Sequence, residues 1–164
     1  MIFEQTRLQE LVANPIEGLN VELKRWLNPE EDLGIAKIVR ACFAIRNRNG
    51  GYVVIGFDDK TLLPDTDHEP SDVRARFHLD KVQGIVSRYA SQLFEIGMGF
   101  GTRQGREYPI IVIPGGVRSP VAAKADLIAP DGRKLIRHGD VYFRTLIANG
   151  TPALPWQNQR IGLK

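Results

Sequence analysis

A run of four apolar residues at positions 52–55, directly after the turn signal Asn49-Gly50-Gly51, limits what this chain can fold into. A continuous apolar strand of this kind is typical of a sheet whose two faces are both covered. Apolar side chains recur at helical spacing between residues 35 and 45, and residues 19–26 alternate between apolar and polar types. We therefore predict an α/β (α+β) fold, with two main helices packed on a mixed β-sheet.

The ends of these elements follow from capping and turn signals. The first main helix is predicted to start in the stretch 28–32, which holds a capping asparagine, a proline and three acids, and to end at Arg48. The second is predicted to be capped near Ser71 and to end near Phe94. A short helix over residues 4–12 precedes them. Short antiparallel strands are predicted at 110–113, 121–125 and 141–143.

Composition excludes several classes of protein. The 164 residues suffice for one domain, and 43% hydrophobic with 25% charged residues is ordinary for a globular chain. We place that domain at 1–148 and treat 149–164 as a tail or linker. A single cysteine, Cys42, excludes a disulfide framework and a zinc site of paired thiolates. Neither a secretion signal nor a membrane-length apolar run is present, so we expect a cytoplasmic protein and no membrane partner.

Basic residues are unevenly distributed. The net charge is +3, and residues 101–137 hold seven basic side chains against three acidic ones. Such a bias favours a polyanion as partner. On the first main helix, Lys37, Arg40 and Arg48 share a face that carries no acid, which is either a phosphate-binding face or a solvated one. The candidate nucleic-acid contacts are Lys37, Arg40, Arg48, Arg103, Arg106 and Arg144.

Acidic side chains occur in a distinctive order along the first third of the chain. Glu17 stands five residues before the strand motif Glu22-Leu23-Lys24, and Asp58-Asp59 follow the glycine that ends the strand at 52–55. Near the other end, Gly139 opens a short strand that closes on an aromatic residue and Arg144. Together these motifs, from about residue 11 to residue 145, resemble the Schlafen AlbA-like domain family.

The resemblance implies a Schlafen AlbA-like α/β fold that binds DNA or RNA. In some members three carboxylates form a metal-dependent nuclease site that cuts structured RNA such as tRNA. Those positions fall here on Glu17, Glu22 and Asp59 as ligands of Mg²⁺ or Mn²⁺, with Lys24 beside them as a fourth catalytic residue. Such ions lower the pKa of bound water, and a lysine stabilises developing charge. Asp58 is the alternative to Asp59, since only one of two neighbours on a strand can face Glu22.

Three functions follow as hypotheses. The first is a metal-dependent endoribonuclease acting on structured RNA, with a role in antiviral defence or stress. The second is a non-catalytic DNA-binding domain of a transcriptional regulator, and the third is a scaffold that oligomerises through its tail. Glu22 and Lys24 could equally form a solvated ion pair, and Gly50-Gly51 is interpreted as a tight turn rather than a phosphate-binding loop. We also predict a homodimer, which a monomeric mass by light scattering would contradict.

Overall fold

The computed structural model describes residues 4–116 and 118–144 and the backbone of residues 157–159. Its centre is a four-stranded mixed sheet, as predicted, in the order β1-β2-β4-β3. The first two strands are parallel, whereas β4 pairs antiparallel with both β2 and β3. The strands are β1 (Val21–Lys24), β2 (Gly51–Ile55), β3 (Gly97–Arg103) and β4 (Arg106–Ile113).

Helices cover this sheet. The short α1 (Gln5–Ala13) packs on β3, and the long α2 (Asp32–Asn47) connects β1 to β2 while packing on both of them and on β4. A one-turn helix α3 (Val73–Arg76) precedes α4 (Leu79–Tyr89), which packs on α2. Within the described ranges, no helix is both long and apolar enough to cross a membrane. The core is built from fully buried side chains of the helices and strands, among them Val39, Phe43, Val54, Val86, Ile110 and Tyr142.

The last part of the described chain adds two small sheets. Strands β5 (Leu127–Ile128) and β6 (Lys134–Ile136) form a short antiparallel pair. Strand β7 (Val141–Phe143) packs against α2 and pairs with the backbone of β8 (Gln157–Gln159). The predicted boundary between residues 148 and 149 lies outside the described residues, and the predicted dimer stays a prediction.

The second main helix was predicted as one segment, and the structure divides it. Asp72 caps α3 by accepting a hydrogen bond from the Ala75 amide at 3.1 Å, and His78 Nδ1 caps α4 by accepting one from the Asp80 amide at 3.2 Å. Between the two caps, Phe77 leaves helical geometry and is fully buried. Local capping and the burial of one aromatic ring therefore outweigh a continuous helix.

Three further segments can be compared with the sequence predictions. The helix start predicted in the stretch 28–32 is confirmed at its last residue, Asp32, because Asn28 Oδ1 first accepts a hydrogen bond from the Glu30 amide at 3.0 Å and closes a turn. The stretch 121–125 makes isolated bridges instead of a strand. Strand β3 was not predicted, since three glycines at alternate positions leave no apolar alternation to detect.

The turn interpretation of Gly50-Gly51 is confirmed, since Gly51 opens β2. A Cβ atom at Gly51 would lie 2.0 Å from the backbone oxygen of Asn20, and the residue has φ of 150°.

We therefore expect Gly51→Ala to destabilise the fold by about 1–3 kcal/mol or more, measured by urea unfolding. Gly84→Ala is the matched control: nothing lies within 4 Å of the added methyl group in α4, so a gain of about 0.5–1 kcal/mol is expected. Equal effects of the two substitutions would contradict this explanation.

Candidate functional site

A group of charged side chains lies along β1, which is an edge strand of the main sheet. Glu22 is completely buried, and its Oε1 lies 3.1 Å from Nζ of Lys24, so the two residues share a face as predicted. The lysine side chain is only 12% exposed. The alternative of a solvated surface ion pair is therefore excluded for this pair.

Arg144 joins two of the predicted carboxylates. It follows β7 and is 2% exposed, and its Nη1 contacts Oε2 of Glu22. Its Nη2 lies 3.3 Å from Oε2 of Glu17 and donates to the backbone oxygen of Val21 at 3.1 Å. Burial lowers the pKa of Arg144, and the charge of Glu17 partly opposes that shift. The arginine is an internal bridge between carboxylates from two different segments.

Glu17 completes the cover of the β1 edge. The backbone N–H of Leu23 points away from the sheet and donates a hydrogen bond to Oε1 of Glu17. The backbone carbonyl of Val21 points the same way and accepts a hydrogen bond from Arg144. Burial raises the pKa of Glu17, against the lowering effects of the Leu23 N–H and of Arg144. The edge of β1 is thus closed by these two side chains and by the Gly18 N–H, which also donates to the Val21 oxygen at 3.0 Å, instead of by a further strand.

Lys24 opens on a small cavity of about 160 Å³. Burial lowers the pKa of Lys24 to about 8, with Arg40 acting in the same direction and the carboxylates of Glu17 and Asp59 in the opposite one. Burial, together with the charges of Lys24 and Arg40, also lowers the pKa of Lys37. Cationic groups of β1 and α2 therefore lie close enough to repel one another. The cavity is lined by Leu23, Lys24, Arg25, Lys37 and Asp59.

Asp58 and Asp59 have different surroundings. Asp58 Oδ1 accepts hydrogen bonds from the backbone amides of Lys60 and Thr61 at 2.7 and 3.1 Å. Its other carboxylate oxygen, Oδ2, forms an ion pair with Arg25. The two amides, and then Arg25, lower the pKa of Asp58. Asp59 is exposed and lines the cavity at Lys24. Of the two aspartates, Asp59 is the one placed beside Glu17 and Lys24.

Mg²⁺ or Mn²⁺ needs carboxylate oxygens that can point at the ion. Both oxygens of Glu22 face cationic side chains, while those of Glu17 face the Leu23 amide and Arg144. In the part of the chain that the structure describes, no three His, Cys, Asp or Glu side chains are grouped so as to hold a metal ion. The oxygens of Glu17 and Glu22 thus have other partners in this arrangement, and a metal site made of Glu17, Glu22 and Asp59 stays a prediction.

The six predicted nucleic-acid contacts do not form one surface. Lys37 and Arg40 lie beside Lys24, and Arg48 is exposed at the C-terminal cap of α2, roughly 16 Å along the helix from Lys37. Arg103 donates to the backbone oxygen of Val12 at 3.1 Å, and Arg106 pairs with Glu69. Arg144, predicted to contact nucleic acid, is instead enclosed with Glu17 and Glu22. Its position after a closing strand gave no signal of that burial.

No family model and no curated protein matches this chain. A crystal structure of a protein from Corynebacterium diphtheriae is similar, with 13% identity and a TM-score of 0.52 over 85% of this chain, which spans about a quarter of that protein (24%). A solution structure of the N-terminal domain of a RecG-related protein from Nitrosomonas europaea aligns with 20% identity and a TM-score of 0.46, covering 84% of this chain and 89% of that one. The first likeness shows a shared fold and nothing about activity.

Proposed function

We propose that this chain is a nucleic-acid-binding domain of Schlafen AlbA-like type, whose phosphate contacts come from Lys24 and Lys37. The observation that carries the proposal is the convergence of these two lysines, from β1 and α2, on one open cavity. A cavity of about 160 Å³ is too small for most organic ligands but can accept a phosphate group. Charged groups that are partly shielded from water attract a phosphate more strongly than fully solvated ones do.

The surrounding charges support an anionic partner. The buried carboxylate of Glu22 is already compensated by Arg144 and Lys24. Across the described residues, Lys37 makes no ion pair, and Arg40 adds a further positive charge nearby. Positive charges of α2 and β1 thus surround the cavity, and Asp59 is the acid that lines it with them.

Metal-dependent cleavage of structured RNA such as tRNA stays a prediction within this proposal. Glu17, Asp59 and Lys24 do lie near one another, as such a reaction requires. The engagement of both Glu22 oxygens by cations favours binding without cleavage, as in a DNA-binding regulator domain. RNA and DNA are both open as partners, so both belong in the experiment.

Binding to tRNA and to duplex DNA, followed by fluorescence anisotropy at several salt concentrations, tests the proposal. Because bound phosphates release counterions, we expect the logarithm of the affinity to fall linearly with the logarithm of salt concentration. Lys37→Gln should weaken binding several-fold and reduce that slope by about 1. Lys124→Gln, at an exposed lysine after α4, is the matched control and should leave both values unchanged.

Equal losses in the two lysine variants, or no salt-dependent binding to either nucleic acid, would contradict the proposal. Incubating tRNA with and without Mn²⁺ in the same series tests cleavage. Asp59→Asn is the informative variant, since its exposed side chain can be changed without touching the buried ion pairs. Manganese-dependent cleavage of tRNA that is lost in Asp59→Asn would establish an endoribonuclease. If tRNA stays intact in every sample, the proposal reduces to nucleic-acid binding without cleavage.

A further inference from the structure

A second, larger cavity of about 470 Å³ adjoins the one at Lys24. This volume lies in the range of roughly 300–1,000 Å³ that is usual for small-molecule sites. Lys37 lines both cavities, and the chain passes directly from the first to the second, since residues 23–25 line the smaller and residues 26–28 the larger. A ligand held at Lys37 can therefore extend into the larger cavity.

The walls of this cavity are chemically mixed. Trp26 is held rigidly, with its ring stacked at 5.7 Å on Tyr108 and its Nε1 donating to the Asp65 backbone oxygen at 3.0 Å. Leu33 projects from the first turn of α2 and is 48% exposed. Apolar surface from Trp26, Leu27, Leu33 and Pro70 is bordered by the polar side chains of Glu31 and His68.

We propose that this cavity receives the base of an unpaired nucleotide whose phosphate lies at Lys24 and Lys37. The inference rests on the proposed function and names its substrate class as single-stranded nucleic acid. A base is flat and apolar on its faces with hydrogen-bonding groups on its edge, which matches an apolar wall with a carboxylate and an imidazole at the rim. In a duplex the same base is stacked between its neighbours and paired, so it could not enter.

Three ligands of equal length separate this inference from simple phosphate binding: a single-stranded 12-mer DNA, its abasic counterpart and a duplex. Binding is followed by the fluorescence of Trp26 in a Trp156→Phe background, which leaves one tryptophan in the chain. We expect the base-bearing single strand to bind about tenfold more tightly than the abasic strand, the scale of one base contact with an apolar or aromatic wall. The fluorescence of Trp26 should change when the base-bearing single strand binds and should not change when the abasic strand binds.

The location is tested by Leu33→Ser, with Leu93→Ser as the matched control because Leu93 is also exposed (73%) and does not line the cavity. Leu33→Ser should abolish the preference for the base-bearing strand and leave abasic binding unchanged. Three results would overturn the inference while the proposed function stands. They are equal affinity for the base-bearing and abasic strands, tighter binding of the duplex, and a preference for the base-bearing strand that survives in Leu33→Ser. Failure of all three ligands to bind would overturn both.

Discussion

Replacing Glu22 by alanine is expected to destabilise the protein by about 3–5 kcal/mol, the usual cost of removing one partner of a buried ion pair. The substitution leaves the guanidinium of Arg144 buried with Glu17, at 3.3 Å, as its one acidic partner among the residues that the structure describes. It also removes the carboxylate 3.1 Å from Lys24. Because folded domains are stable by only about 5–15 kcal/mol, urea unfolding should show a large shift of the midpoint.

Glu10→Ala is the control for this measurement. Glu10 also pairs with an arginine, Arg7, at 3.4 Å, but its side chain is 62% exposed, so a change within about 0.5 kcal/mol is expected. A loss below about 1 kcal/mol in Glu22→Ala would show that Arg144 finds other compensation. The pair can also be replaced as a whole: Glu22→Leu with Arg144→Met should recover part of the loss, because the buried guanidinium is removed together with its carboxylate. The recovery should be incomplete, since Lys24 then lacks Glu22 and Glu17 lacks Arg144.

This prediction determines how a nuclease test should be designed. An inactive Glu22→Ala variant would be explained equally well by a lost metal ligand and by a weakened fold. Asp59 is exposed, so its substitution changes the charge of the cavity without leaving a buried cation unpaired. Assays of Asp59→Asn therefore report on chemistry, whereas those of Glu22→Ala report first on stability.

The positive charge of Lys24 is expected to lower the free energy of unfolding at neutral pH. This effect should become smaller as the solution becomes alkaline. Burial lowers its pKa from 10.5 to about 8 in the folded protein. Below pH 8 the lysine is charged in both the folded and the unfolded chain, and the full cost of burying the charge is present. Between pH 8 and 10.5 the folded protein loses this proton while the unfolded chain keeps it, so the free energy of unfolding rises by up to ~3 kcal/mol.

Lys24→Met isolates this contribution from that of other titrating groups. The free energy of unfolding of the variant, relative to that of the natural protein, should fall by up to ~3 kcal/mol as pH rises from 7.5 to 10.5, because only the natural protein gains stability over this range. Its binding of nucleic acid should be weaker at pH 7. Lys124→Met serves as the control, since that lysine is exposed and its difference from the natural protein should not vary with pH. A difference between Lys24→Met and the natural protein that is constant over this range would contradict the lowered pKa.

Much of the fold was accessible from sequence because its strongest signals are local. The apolar run before Gly56, the glycine pair and the spacing of Ile38 and Cys42 predicted β2 and α2 correctly. The division of the second helix was not accessible, since it depends on the burial of Phe77 against Trp26; their ring centroids lie 6.2 Å apart, although the residues are 51 positions apart in sequence. The alternation of apolar and polar residues that marks a strand was hidden in β3 by its glycines. One of them, Gly101, lies against the side chain of Val12 in α1.

Part of the geometry around the candidate site was predictable, and its role stays a prediction. Spacing and family resemblance selected Glu17, Glu22, Lys24 and Asp59; in the structure Glu22 pairs with Lys24, and Glu17 and Asp59 lie near that lysine. The side-chain period of a strand showed that Glu22 and Lys24 share a face. It could not show that Arg144 would enter from β7 and occupy the oxygens expected to bind metal. Contacts between distant segments depend on tertiary packing, which local patterns do not encode.

The closure of the β1 edge has a consequence for how the chain reaches its native state. Arg144 is separated from Glu17 by 127 positions, so it is synthesised long after the strand that it covers. Before Arg144 is made, the β1 edge is already covered by neighbouring residues: the Gly18 N–H donates to the Val21 carbonyl at 3.0 Å, and Glu17 accepts from the Leu23 N–H. This local turn therefore shields the edge against addition of a strand from another molecule early in translation, and Arg144 adds a second donor to the Val21 carbonyl once β7 has been made.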